Sequence, residues 1–87
     1  MATLTGAHVI GLKVALGSPT VSVDFGVGDP PSFYTLKVAY GSTAGTTALA
    51  NSMLMVLLAV RVTSFLSANV VYNASNRLIS SVELAPG

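Results

Sequence analysis

The residues able to do acid–base or ligand chemistry are few: one histidine, His8, and three carboxylates, Asp24, Asp29 and Glu83. A histidine acting as general base needs an orienting carboxylate. The alternation of the flanking segments puts Asp24 on the opposite face of its hairpin from His8. Ser-His-Asp triads assemble in space rather than in sequence, but no GxSxG elbow accompanies this histidine. A working carboxylate pair is equally unsupported. Asp29 precedes Pro30 and reads as a turn residue whose side chain bonds nearby backbone, while Asp24 and Glu83 read as solvated strand positions. One histidine with scattered carboxylates has no metal-ligand spacing, and the absence of cysteine removes thiolate sites, Cys nucleophiles and disulfides. Gly26-Val27-Gly28-Asp29 lacks both GxGxxG and a following helix, so it reads as a turn rather than a phosphate cradle. Asn73-Ala74-Ser75 matches the glycosylation triplet, which is frequent by chance. The expectation is therefore no catalytic, cofactor-binding or metal site, no small-molecule substrate, and a His8 packed at a strand end on the apolar face.

Charge is as sparse as chemistry. Of 87 residues, 52% are apolar or aromatic and only 8% are charged, against about 25% charged in ordinary domains. Such a composition excludes intrinsic disorder. The four cations, Lys13, Lys37, Arg61 and Arg77, form no run, so nucleic acid is not an expected partner. The first residues carry no basic segment followed by an apolar stretch, so no secretory signal is read. Missing cysteine leaves the compartment open.

The elements that would position these residues follow from periodicity. Residues 8–16 alternate, with His8, Ile10, Leu12, Val14 and Leu16 on one side, which predicts a strand. Gly17-Ser18-Pro19 supplies a turn. Val21, Val23, Phe25 and Val27 alternate with Thr20, Ser22, Asp24 and Gly26, predicting a second strand that completes a hairpin. A loop at Gly28-Asp29-Pro30-Pro31-Ser32 leads to a third alternating run over 33–40, with Tyr34, Leu36, Val38 and Tyr40 on one face. Ser42, Thr43 and Thr46 are candidate caps for a helix, which Ala48-Leu49-Ala50 continues by propensity. Residues 67–76 mix the short apolar run Val70-Val71-Tyr72 with turn formers. Arg77 to Leu84 then predicts a last strand, with Leu78, Val82 and Leu84 on one face.

The helix decides the functional reading. Met53 to Val60 is eight consecutive apolar residues, enough to wrap more than two turns without a polar face. Its end falls between Leu58 and Leu66. The expected fold is α+β, a small β-β-β-α-β domain over residues 1–87 with a mostly antiparallel sheet and one long apolar helix packed on one face. A single sheet covers one side of a helix, and each large side chain left on the far side forgoes about 1.5–3 kcal/mol of burial. Leu54, Met55 and Leu58 are the candidates for that far side, with Arg61 either reaching to water or pairing across an interface. The expected function is thus a non-catalytic, self-associating structural subunit of a symmetric assembly, with a viral or phage virion component (coat, decoration or tail) as the leading example. Virion or cytoplasm is favoured over membrane. The alternative is a small subunit of a membrane complex that spans the bilayer with residues 48–66, and an enzyme built on His8 ranks last.

Overall fold

The computed structural model describes residues 1–40, 44–63 and 65–86, and the side chains of Ala44 and Gly45 are not described. Five strands and one helix follow in the order β1 (Ala2–Val14), β2 (Thr20–Val27), β3 (Ser32–Ala39), α1 (Ala44–Val62), β4 (Leu66–Tyr72) and β5 (Ile79–Pro86). The sheet runs β3-β2-β1-β4-β5 with every adjacent pair antiparallel. Three hairpin-linked strands and a fourth returning beside the first make a Greek key. The two outer strands then meet at one parallel bridge between Lys37 and Leu78, with the Lys37 N–H donating to the Arg77 carbonyl at 2.9 Å. The sheet is therefore rolled into a partly open barrel.

What rolls it is β1. Its first half pairs with β4 and its second with β2, and its register slips twice, between Leu4 and Ala7 and between Val9 and Gly11. At the first slip Gly6 takes φ 65°, a left-handed value that suits glycine in a bulge. Its N–H donates to the Asn69 Oδ1 at 3.1 Å, and the Asn69 amide in turn donates to Glu83 at 3.1 Å. Each bulge adds a residue and reverses which side chains point inward. The buried set on β1 is accordingly Leu4, Ala7 and Val9, with Leu12 packed against it.

This corrects the expected β1. The strand spans Ala2–Val14 rather than residues 8–16, and of the predicted apolar face only Leu12 packs inward, while His8, Ile10, Val14 and Leu16 are exposed. Simple alternation carried the parity of Leu12 back through a bulge. On β2 and β3 alternation holds for Val21, Val23, Phe25, Leu36 and Val38, all buried, while Tyr34 and Tyr40 of the predicted face are exposed and Tyr40 lies past the end of β3.

The second correction is an extra strand. The order is β-β-β-α-β-β, because residues 66–72 form β4 between β1 and β5. Val70 is buried on its inner side together with the small Ala68, and Ser67 is buried on the other, where its hydroxyl donates to the Pro86 carbonyl at 3.2 Å. The last strand starts at Ile79 rather than Arg77, and its inner face runs through Ile79 and Val82 because the register slips opposite Val71 and Tyr72. Leu84 is half exposed at the sheet edge.

Helix α1 contacts β1, β3, β4 and β5. Ala50, Leu57 and Val60 are buried in one cluster with the strand residues, and Met53 and Leu54 pack against it. The helix ends at Val62, so the 48–66 window divides between helix and the start of β4. Among the described residues no helix is long and apolar enough to cross a membrane. Thr46 lies within the helix, and the candidate caps Ser42 and Thr43 lie outside the described residues.

Candidate functional site

The side of α1 turned away from the core carries exposed apolar residues together with Asn51 and Ser52. Ala48, Asn51, Met55, Leu58 and Val62 are all exposed, and they recur at steps of three, four, three and four residues. At about 100° per residue these five positions fall within one stripe, opposite Ala50, Leu57 and Val60. Met55 is 71% exposed, Leu58 50% and Val62 79%. Phe65, just past the helix, is exposed as well. Alternating steps of three and four place side chains along the seam where two helices pack knobs into holes. The only charge on α1 is Arg61, in its last turn, where it complements the helix dipole.

The candidate residues divide on this geometry. Met55 and Leu58 belong to the outward stripe. Leu54 turns toward the core, and Arg61 is exposed on the flank of the stripe. Ala48, Asn51 and Val62 complete the stripe and were not among the expected residues. Their signal was the heptad spacing itself, which becomes legible once the buried Ala50, Leu57 and Val60 fix the rotation of the helix.

The polar candidates are dispersed. His8 pairs across the ladder with Gly26, while Asp24 pairs with Gly11 and Thr35. Because of the second bulge, His8 and Asp24 share the outer face, where alternation had them on opposite faces. Asp24 accepts a 2.7 Å hydrogen bond from the Thr35 hydroxyl, so its nearest partner is a neighbouring strand and not the histidine. Glu83 accepts from Asn69. Asp29 lies in the turn beside Gly28, whose φ is 86°. Among the described residues no three His, Asp or Glu side chains converge as metal ligands would. Asn73 uses its carbonyl oxygen to accept from the Ser75 N–H and hydroxyl at 2.9 and 2.7 Å, an Asx turn that shapes the β4–β5 loop.

Comparison with family models, curated proteins and solved structures finds no match.

Proposed function

We propose that this chain is a non-catalytic structural subunit of a symmetric assembly, held together by the outward stripe of α1 packing against the same stripe of a second copy. The carrying observation is the exposure of Met55, Leu58 and Val62 at heptad spacing on α1, opposite Ala50, Leu57 and Val60 of the core cluster. Contiguous exposed apolar surface of this kind marks an interaction site. A second copy is the natural occupant, because an isologous contact asks only that a patch complement itself, and an apolar stripe without charge does so. Asn51 within the stripe is the sort of polar residue that fixes the alignment of paired helices. With four cations and three carboxylates in the whole chain, copies repel one another little in a closed array. A viral or phage virion component is the role this composition suits, with virion or cytoplasm favoured over membrane. The test is sedimentation without detergent at rising concentration. A soluble oligomer is expected, and a single-copy species at millimolar concentration overturns the reading.

A further inference from the structure

The cations that are scattered in sequence converge in the fold. Lys13 pairs with Ser22 and Ser22 with Lys37, so the two lysines sit in one cross-strand row. The row lies on the outer face, since the neighbouring row of Leu12, Val23 and Leu36 packs in the core. Two strand spacings separate the lysines, about 10 Å. Arg77 stands at the β3 edge, where its carbonyl accepts from the Lys37 N–H, and lines the pocket there with Phe33 and Thr35. No hydrogen bond or ion pair from a described residue engages these three side chains. Lys13, Lys37 and Asp24 on this face, with Arg77 at its edge, sum to +2. Arg61, Asp29 and Glu83 leave −1 for the rest, consistent with the net +1 of the whole.

Aromatic surface lies on the same face, separated from the lysine row by the row of Gly11, Asp24 and Thr35. Phe33 shares the outer face with His8 across Gly26. Phe33 and Ile10 close over that glycine, where an added Cβ would sit 3.8 Å from each, and Phe33 still remains 69% exposed. Next to it the open seam of the barrel forms a pocket of about 240 Å³, lined by Phe33, Tyr34, Tyr72 and Arg77 among others. Arg77 is held at φ 62°, a left-handed value unusual for a side chain with a Cβ. Strain of this kind is found where a loop's position matters.

The geometry points to single-stranded nucleic acid, RNA or DNA bound without sequence preference, as the ligand of this face. Phosphates lie along Lys13, Lys37 and Arg77, one base stacks on Phe33, and a neighbouring base enters the pocket between Tyr34 and Tyr72. Cations tracking a backbone beside exposed rings are the two elements such binding needs. A duplex keeps its bases stacked and offers these rings nothing. The face is the outer surface of β1–β2–β3, opposite the side on which α1 packs, so the inference does not rest on self-association.

The test is fluorescence anisotropy with a labelled oligouridylate of about 20 nucleotides, and an oligothymidylate of the same length. Three cations on a single strand give a slope of log affinity against log salt of about −2, a loss of about twentyfold between 50 and 200 mM. Lys13→Gln with Lys37→Gln flattens that slope to about −0.7. Phe33→Ala weakens binding about five- to 150-fold and leaves the slope unchanged. Arg77→Gly also flattens the slope while its unfolding midpoint holds or rises, which separates lost binding from lost fold, because glycine takes the left-handed conformation without strain. No anisotropy change at 50 mM salt overturns the assignment. So does a duplex, or inorganic polyphosphate, that competes as well as the single strand while Phe33→Ala has no effect.

Discussion

Met55→Glu separates association from folding. Burying a Met or Leu side chain completely is worth about 1.5–3 kcal/mol. With 71% of Met55 exposed, about 1–2 kcal/mol of that remains to be gained per copy when a second helix covers it. A two-fold contact counts every residue twice, so the substitution removes about 2–4 kcal/mol per pair of subunits. That is a rise of about 30- to 1000-fold in the dissociation constant, before any cost of placing a carboxylate against an apolar stripe. The isolated subunit loses almost nothing, since exposed substitutions shift stability by about 0.5 kcal/mol or less and glutamate is a good helix former. Sedimentation velocity from micromolar to millimolar protein, with thermal unfolding of the same samples, reads both quantities. The expected result is a variant that sediments as one copy with an unchanged far-ultraviolet spectrum. A variant with the same mass and concentration dependence as the parent refutes the stripe as the contact.

Neighbouring leucines on α1 test the rotation of the helix: Leu57→Ala removes a fully buried side chain and costs about 2–5 kcal/mol in denaturant unfolding, whereas Leu58→Ala leaves the unfolding of the single subunit nearly unchanged and weakens only association. Asn69→Ala takes the acceptor from the part-buried Gly6 N–H and lowers stability by about 1–3 kcal/mol, read from the urea midpoint. Gly6→Ala meets no atom within 4 Å, so its expected cost of about 1–2 kcal/mol is purely that of a left-handed backbone, and an unchanged midpoint argues against the bulge.

Much of this fold is written in local pattern, and the exceptions share a cause. On β2 and β3 each inward valine, phenylalanine or leucine alternates with a small or polar residue, and nothing interrupts the register of Thr20–Val27 against Ser32–Ala39. On β1 the period is broken by the bulges at Gly6 and Ile10, and only pairing with two different partners shows where they fall. An isolated glycine in a strand is the available hint. β4 escapes notice because its residues answer to tertiary neighbours: Ala68 is small beneath the helix and its partner strands, Asn69 serves the Gly6 bulge, and Ser67 bonds Pro86. A helix through Met53 to Val60 was legible, but which of its sides faces out depends on the sheet it lies against. The lysine row was invisible for the same reason, since 24 positions separate Lys13 from Lys37 and only the register of three strands makes them neighbours.

The division of β1 between β2 and β4 sets an order of events for the growing chain. Its second half finds a partner in the very next strand, so the first hairpins can form early. Its first half waits for Asn69 and Val70, with 63 positions between Gly6 and Asn69. Contacts so distant along the chain form slowly, and until then the N-terminal segment is an unpaired edge. The closing hairpin β4–β5 follows α1 in the chain, so this edge is covered only once residues 66–72 have been made.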